Sequence, residues 1–285
     1  MSFRKFLRKF GLFLLTLPLL GFIYFPILWL LSSSFSTQGE LVAIPPHWIP
    51  QHPTLQNYLD IFFPDLAKSA VPKAFSITLI NSFQIATTLT VICLIIGILA
   101  AYALARVKFK GRHTILLGIL GTKMIPEVSL IIPLFVVASQ LKLIDKPAVL
   151  VITYMSFALP FAIWMLATFF QSVPIELEEA ARLDGCSRMG IIFRIVLPIA
   201  SPGLVSTALF IFLLSWDEFF YALIFTSTLA SKTVPVAISE FVGRYVTNIT
   251  GMMAGGILAA LPPIILALIF QRYIVRGLTA GAIKG

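Results

Sequence analysis

Two adjacent acidic residues, Asp217 and Glu218, lie inside an apolar stretch and are flanked by aromatic residues, among them Trp216 and Phe220. Carboxylates accept hydrogen bonds from hydroxyl groups, and aromatic rings stack on the C–H faces of sugars. This combination suits the binding of a polyhydroxylated solute. Because neighbouring positions on a helix point about 100° apart, we expect one acid to line a solute path and the other to meet a neighbouring helix.

Lys123 and Glu127 form a second pair of charges within an apolar stretch. They are four residues apart, so they share one face of a helix. An unpaired charge costs roughly 2.5 to 3.5 kcal/mol at the centre of a bilayer. These two side chains therefore either pair with each other or contact a solute, and the sequence leaves both interpretations open. The candidates for a solute path are Lys123, Glu127, Trp216, Asp217, Glu218 and Phe220.

Motifs for enzymatic chemistry are absent from the sequence, which contains no GxxxxGK[ST], HExxH or GxSxG pattern. His47, His52 and His113 are too scattered to indicate a metal site. Cys93 lies in an apolar run and Cys186 in a charged loop, so we expect both to be free thiols. No catalytic residue, metal or cofactor is predicted in this chain. Any energy source must be another subunit or an ion gradient.

The composition indicates a protein that crosses a membrane several times. Of the 285 residues, 59% are hydrophobic and 12% are charged, whereas soluble proteins contain about 25% charged residues. A soluble core cannot bury that much apolar surface, and disordered chains have the opposite composition. The net charge of +9 comes from short basic clusters between apolar runs, which is typical of membrane orientation rather than of nucleic-acid binding.

Six apolar segments are long enough to cross a bilayer core of about 30 Å as helices. They lie at residues 11–33, 77–104, 114–138, 148–171, 203–226 and 252–275. The runs do not alternate as the strands of a membrane barrel do, so all six are predicted to be helices. Residues 1–285 are therefore expected to form one all-α transmembrane domain.

The distribution of basic residues predicts the orientation of these spans. Of the 21 lysines and arginines, 14 fall on the side of the two termini, 6 fall on the opposite side, and Lys123 lies within the third span. Since basic residues concentrate in cytoplasmic segments, both termini are predicted to be cytoplasmic. A cleaved signal peptide is the alternative for the first segment, but the apolar stretch exceeds the usual length of about 7 to 15 residues.

The loop between the fourth and fifth spans is predicted to form two short helices in the cytoplasm. Ser172 is a candidate N-cap and Pro174 fits a first turn, and three glutamates follow that complement the positive end of a helix. Gly185 is a natural stop, Ser187 can cap a second helix, and Pro198 ends it. Helices that lie on lipid usually carry a basic face, whereas this one begins acidic, so a protein partner is favoured.

This loop, residues 172–200, resembles the EAA motif in membrane subunits of ATP-binding cassette importers that depend on a solute-binding protein. The matching positions are Glu179, Ala180, Ala181, Gly185, Ile195, Leu197 and Pro198. Further segments, such as NSF at 81–83, SWDEFFYALIF, TVPVA and the terminal GLTAGAIKG, resemble the carbohydrate-uptake class and its maltose-type second permease subunit. In that family an asparagine is usual where this chain has Asp217. The extra acid then indicates a polyol-like or cationic feature of the solute, or a partner in a sister subunit.

The resemblance implies six transmembrane helices and a cytoplasmic coupling helix, between spans 4 and 5, that docks on an ATPase subunit. The residues that would carry this coupling are Glu179, Ala180, Ala181, Asp184, Gly185, Ile195, Leu197 and Pro198. Packing of Leu183, Phe193, Ile195 and Leu197 would hold the loop on the ends of the spans. The alternative, that these residues only stabilise the loop itself, fits Ile195 and Leu197 better than Glu179.

The resemblance also implies partners and a location. The partners would be a sister permease, two cassette subunits that bind ATP and Mg, and an extracytoplasmic solute-binding protein, in the inner membrane of a prokaryotic cell. The residues from Gly277 to Gly285 are small and glycine-rich, so we expect no independent helix there. In maltose-type relatives this tail reaches between the ATPase subunits, which would involve Gly277, Thr279, Gly281 and Lys284. A disordered tail is the alternative.

Two other classes of function compete with an ATP-driven permease, namely an ion-driven secondary transporter and a membrane scaffold that transports nothing. Neither class needs a helix that docks on an ATPase, so the EAA loop separates them from an importer. Within the importer class, glycerol phosphate or an osmolyte is the alternative to a sugar or oligosaccharide.

Overall fold

The computed structural model describes residues 3–45, 47–63, 75–242 and 247–282, and it describes side chains from residue 13 to residue 273 within those ranges. Every regular element in these residues is a helix, so the all-α prediction is confirmed for this part of the chain. The chain divides into two compact units.

The first unit combines the chain up to Ser76 with Ala237–Leu261. Its helices are α1 (Phe3–Ser34), α2 (Gln38–Leu41), α3 (Gln56–Phe62), the start of α4 (Phe75–Arg106), the end of α13 (Val234–Ser239) and the first part of α14 (Ile249–Ala282). The Gln38 side-chain oxygen accepts hydrogen bonds from the backbone N–H groups of Ile249 and Thr250, at 3.1 and 3.3 Å. Gln38 thereby satisfies donors that every helix leaves free at its first turn.

The second unit contains residues 77–236 and the chain from Pro262 onward. Its remaining helices are α5 (Arg112–Gly121), α6 (Glu127–Gln140), α7 (Pro147–Ser172), α8 (Ile175–Leu183), α9 (Arg188–Ile191), α10 (Leu197–Ile199), α11 (Ser201–Trp216) and α12 (Phe220–Phe225), with a π-helical segment, Ile192–Val196, between α9 and α10. Two buried apolar clusters lie along α4 and α7. One surrounds Leu89 and Leu150, and the other surrounds Ala101 and Phe170.

Close contact between α7 and α11 is built from small and flat side chains. The rings of Phe161 and Phe210 stack with their centroids 4.0 Å apart. A Cβ atom at Gly203 would lie 2.1 Å from the Phe169 ring, so only glycine fits at this crossing.

Among the described residues, four helices are long and apolar enough to cross a bilayer, namely Phe13–Ser34, Phe75–Arg106, Pro147–Ser172 and Ile249–Tyr273. Two bent pairs of shorter helices bring the number to six if each pair counts as one span. The predicted spans 11–33, 77–104, 148–171 and 252–275 lie within single helices of the structure.

The predicted third span, 114–138, is not one straight helix. It consists of α5, a 3-10 turn at Thr122–Met124, and α6, with a bend of 92° between the two parts. Ile125 is extended, at φ −76° and ψ 122°, because the residue before a proline is disfavoured in helical conformation. Pro126 is the N-cap residue of α6, the second part of the pair.

The predicted fifth span, 203–226, is also interrupted. Its helix α11 ends at Trp216, and α12 begins only at Phe220. The helix α11 is preceded by Arg188–Ile199 at an angle of 82°. The prediction that Asp217 and Glu218 share a continuous helix is therefore wrong.

The helix α14 continues beyond the predicted span 252–275 as far as Ala282. Adding residues to an existing helix is far easier than nucleating one, so the glycines at 277 and 281 do not stop it. Gly277, Thr279 and Gly281 thus lie on the α14 backbone, whereas Lys284 lies outside the described residues.

Candidate functional site: the loop between α7 and α11

The helix α8 begins and ends through local backbone chemistry. Pro174 is its N-cap residue, and Ser172 belongs to the last turn of α7, where its hydroxyl donates to the Phe169 carbonyl, so the predicted Ser172 cap is wrong. Gly185 adopts φ +82° just after the helix, which confirms the predicted stop. The Ser187 side chain accepts a hydrogen bond from the Gly190 N–H at 3.2 Å, which confirms the predicted cap of α9.

Most of the predicted coupling residues lie on the exposed face of this loop. Glu179, Ala180, Asp184, Gly185 and Pro198 are exposed, whereas Ala181 is buried. Ile195 and Leu197 are partly buried against the cluster around Ala101 and Phe170.

The expected packing of Leu183 and Phe193 is wrong, because these side chains are 89% and 55% exposed. Ile191, Ile192 and Val196 are buried in their place. The π-helical turn at Ile192–Val196 changes which side chains face inward. The sequence contains no residue pattern that predicts such a turn.

Glu178 has the most extensive buried contacts in this loop, and the sequence pattern did not single it out. Its side chain has no exposed surface, and Oε1 lies 2.7 Å from Nε of Arg106, whose side chain is 8% exposed. The Tyr102 hydroxyl donates to Glu178 Oε2 at 2.8 Å. Arg182, one turn further along α8, is 3.8 Å from the same oxygen.

Arg106 connects this carboxylate to a third helix. Its Nη2 donates to the carbonyl of Val173, the C-cap residue of α7. The ring of Tyr102 lies edge-on to that of Phe170, with the centroids 6.5 Å apart. The ends of α4 and α7 and the buried face of α8 therefore meet at one ion pair.

A pocket of about 380 Å³ opens beside this ion pair. Its lining includes the cationic side chains of Arg106, Lys108, Arg182 and Arg188, together with Glu179. Cations outnumber carboxylates in this lining, so the pocket favours an anionic group.

At the bend between α5 and α6, Lys123 and Glu127 form the ion pair anticipated from their spacing. Nζ and Oε1 are 3.6 Å apart, and the side chains are 30% and 50% exposed. The Lys123 ammonium lies 5.5 Å from the ring centroid of Phe157. Tyr221 on α12 donates its hydroxyl proton to the Glu127 backbone carbonyl at 2.8 Å, so α12 is tied to the bend.

The acids between α11 and α12 have different environments. Asp217 is exposed, while Glu218 is partly buried and accepts hydrogen bonds from the N–H groups of Tyr221 and Ala222, at 3.0 and 3.2 Å. Glu218 thus accepts hydrogen bonds from backbone N–H groups in the first turn of α12, which have no partner within the helix. Trp216 is buried and stacks on Phe212 inside the fold, whereas Phe220 is 57% exposed.

Comparison with known proteins places this arrangement in a family. Residues 93–280 match the family described as "Binding-protein-dependent transport system inner membrane component". The chain is 38% identical to the sulfoquinovosyl glycerol transport system permease protein of Agrobacterium fabrum, over 92% of this chain and 89% of that protein. It is also 38% identical to the trehalose transport system permease protein of Mycobacterium tuberculosis, over 93% and 94%.

Among solved structures, the fold is similar to that of a bacterial ABC transporter involved in the import of the acidic polysaccharide alginate. The TM-score is 0.79 at 21% identity, over 96% of this chain and 98% of that one. The multi-helical membrane architecture is therefore shared across the whole chain. With the family match and the two relatives, it follows that this chain belongs to the inner membrane components of binding-protein-dependent transport systems.

Proposed function

We propose that this chain is one of two permease subunits of an ATP-driven importer in the inner membrane of a prokaryote, with residues 1–285 as one transmembrane domain and both termini in the cytoplasm. The observation that carries the proposal is α8, whose buried face is fixed to α4 and α7 while Glu179 and Asp184 are exposed for a partner. The excess of basic residues on the same side of the sequence supports the orientation.

The partner of α8 in this proposal is an ATPase subunit, which binds ATP and Mg while this chain holds no cofactor. Glu179 lines the cationic pocket and is exposed, so it meets the docked ATPase together with Arg182 and Arg188. Ala180 adds no bulk on the exposed side, which allows close approach. A tail contact by Gly277, Thr279, Gly281 and Lys284 between two ATPase subunits belongs to the same proposal.

A sister permease and membrane lipid complete the assembly around α1. All side chains from residue 13 to residue 28 are exposed in this chain, and they are almost entirely apolar. Such a surface is stable only against lipid or another hydrophobic subunit. The solute-binding protein would dock on the opposite side of the membrane.

The transported solute in this proposal is a sugar, an oligosaccharide or a sugar-derived compound. The two relatives carry sulfoquinovosyl glycerol and trehalose in their names. The exposed Asp217 and Phe220 offer a hydrogen-bond acceptor and an aromatic ring within the same short segment, and the Lys123–Glu127 pair adds charge at the bend. Trp216 and Glu218 support these residues from within the fold.

Assembly and energy source provide the first test. Co-expression of this chain with a sister permease and ATPase subunits should yield a complex with two permeases and two ATPases in mild detergent. In proteoliposomes, uptake of radiolabelled sugar should require both ATP and loaded binding protein. Uptake by this chain alone under an ion gradient would refute the proposal in favour of a secondary transporter.

Docking through α8 is tested by Glu179→Lys, with Glu176→Lys as a control because Glu176 is also exposed on α8 but does not line the pocket. We expect Glu179→Lys to reduce stimulation of ATP hydrolysis by loaded binding protein at least tenfold. The control should stay within about twofold of the unmodified protein. Equal stimulation in both variants would remove Glu179 from the ATPase contact.

The solute path is tested by separate alanine variants at the two acids. Asp217→Ala should reduce uptake while the complex still co-purifies, and Asp217→Asn should preserve transport of common sugars. Glu218→Ala should instead loosen the start of α12, which is seen as a lower melting temperature of the complex. Unchanged uptake in both alanine variants would exclude this cluster from the path.

A further inference from the structure

Two glutamates next to each other on α8 have different surroundings. Glu179 is exposed and lines the pocket, whereas Glu178 is fully buried and faces α4. The EAA motif includes Glu179 but not Glu178. In the structure, however, Glu178 has the closer side-chain contacts, with Arg106 and Tyr102.

The two shortest contacts of Glu178 come from a single turn near the end of α4. Arg106 and Tyr102 are four residues apart, so they lie on one face of that helix. One meets each carboxylate oxygen, at 2.7 and 2.8 Å. The carboxylate is therefore paired with a charge at one oxygen and accepts a hydrogen bond at the other, and both partners belong to α4.

Apolar packing beside the ion pair also connects α8 to α4 and α7. Ala181, one turn from Glu178 on the buried face of α8, belongs to the apolar cluster that contains Ala101, Tyr102 and Phe170. Arg106 also binds the Val173 carbonyl at the end of α7. The helix α8 is therefore fastened to α4 and α7 by packing as well as by charge.

We propose that Glu178 is a positioning residue for coupling, and that its ion pair with Arg106 makes α8 and the adjoining end of α4 move as one body. This inference rests on the proposed function, since it assigns the path by which a movement of the ATPase reaches the membrane. A displacement of α8 by the ATPase is then delivered directly to a long membrane helix. Without the ion pair, α8 follows the ATPase while α4 lags behind.

The test uses the complete complex with Glu178→Gln, and Glu176→Gln is the matched control on the same helix. Both changes remove one carboxylate charge, but only Glu178 is buried. We expect Glu178→Gln to leave ATPase co-purification and basal hydrolysis within about twofold of the unmodified complex. The amount of solute transported per ATP hydrolysed should fall at least tenfold, while the control should retain the unmodified ratio.

If the Glu178→Gln protein is not produced in folded form, a double variant, Arg106→Met with Glu178→Leu, still tests the role of the ion pair. It replaces the buried ion pair by apolar side chains of similar volume, which buried sites often tolerate. We expect an assembled complex with the same loss of transport per ATP. A normal ratio in either variant would overturn the proposal.

Spin labels provide a readout that a purely stabilising role would not change. Cysteines replace Leu183 on α8 and Phe109 beyond α4, in a chain with Cys93→Ala and Cys186→Ser, since Leu183 and Phe109 are 89% and 39% exposed. The distance between labels should be narrow and equal in nucleotide-free and ATP-trapped complexes, and it should broaden in Glu178→Gln. A distance that changes between nucleotide states in the parent chain would contradict the shared movement.

These outcomes separate the two proposals. If the unmodified chain forms no complex with an ATPase, the proposed function fails. If the unmodified complex couples transport to ATP and Glu178→Gln does so equally well, only the positioning role fails.

Discussion

Within the second unit, the two ends of helix α4, near Asn81 and near Arg106, hold their neighbouring segments in different ways. At the Arg106 end, a side chain binds a side chain, Arg106 with Glu178, and both are buried. At the Asn81 end, side chains bind backbone groups of the segment 226–234, which joins α12 to the first residue of α13. A buried ion pair joins one rigid helix to another, whereas bonds to backbone groups fix the course of a loop.

Two neighbouring side chains of α4 form the Asn81 end. The Asn81 amide donates to the carbonyls of Leu229 and Lys232 at 2.9 and 3.0 Å, and the Ser82 hydroxyl accepts from the Val234 N–H at 2.9 Å. These contacts give a structural role to the NSF segment. They shape the loop without burying a charge.

Asp145, between α6 and α7, holds the other side of the same loop. Its carboxylate accepts hydrogen bonds from the N–H groups of Ser227 and Thr228 at 2.8 and 2.9 Å, and from the Ser231 hydroxyl. Partial burial alone raises the pKa of Asp145, but these three hydrogen bonds outweigh it and hold the pKa well below its usual range.

The largest effect in this comparison is expected for Arg106→Leu. Removing one partner of a buried ion pair leaves Glu178 charged and uncompensated, which costs about 3 to 5 kcal/mol. We expect a marked drop in the melting temperature of the purified complex, and recovery when Glu178→Leu is added. A single variant as stable as the parent would mean that the two ends do not differ in the way described.

A smaller effect is expected for Asp145→Ala at the opposite end. Hydrogen bonds to a charged group contribute about 1.5 to 3 kcal/mol, and water reaches this site, so the loss should lie near the lower value. Faster proteolysis within residues 226–234 should accompany the lower melting temperature. Unchanged proteolysis would show that Asp145 does not hold the loop.

The contribution of Asp145 also predicts a dependence on pH. Because its pKa is lowered in the folded protein, its stabilisation is complete above the usual aspartate value of about 3.9 and is lost as the pH falls towards the lowered pKa. The difference in melting temperature between the parent and Asp145→Asn should be constant from about pH 8 to pH 5 and should shrink below about pH 4. If the difference in melting temperature grew as the pH fell, the pKa of Asp145 would be raised rather than lowered in the folded protein.

Asn81→Ala should have a modest effect, on the order of 1 kcal/mol, since it removes neutral hydrogen bonds. Asn81→Asp is a useful companion because the carboxylate cannot donate to the two carbonyls and repels them. Asn81→Asp should therefore be the less stable variant. The opposite order would show that the amide is not the donor.

The smallest effect, and one of opposite sign, is expected for Lys142→Gly in the turn after α6. Lys142 adopts φ +55°, which is unfavourable for a residue with a side chain and free of strain for glycine. We expect a gain of about 0.5 kcal/mol in stability, measured as a slightly higher melting temperature. A loss would show that the Lys142 side chain contributes more than its backbone strain costs.

Features that depend on neighbouring residues could be predicted from the sequence. The Gly185 stop and the Ser187 cap follow from spacings of a few residues, and both are confirmed. The spacing of Lys123 and Glu127 left an ion pair and a solute contact open, and the structure shows the ion pair. The apolar runs likewise located the long helices. Each of these signals lies within one or two helical turns.

Features that join distant segments could not be predicted in this way. Arg106 and Glu178 are far apart in the chain, and the charge pattern alone shows neither the burial of Glu178 nor its partner. The break after Trp216 was missed because the apolar run continues through it. There the Glu218 side chain binds the N–H groups of Tyr221 and Ala222 and starts a new helix, so a polar side chain overrides the hydropathy pattern.

The 92° bend between α5 and α6 has a consequence for amide hydrogen exchange. Lipid supplies no hydrogen-bond partners, so non-helical backbone at membrane depth persists only where protein covers it or where water reaches it. Met124 beside the bend is 86% exposed, and the neighbouring Lys123 and Glu127 side chains are partly exposed. The amides of Glu127 and Val128, in the first turn of α6, should therefore exchange with deuterium rapidly in the assembled complex, whereas those in the middle of α7 should stay protected. A wetted stretch of this kind would mark the course of water, and of any hydrated solute, through the membrane.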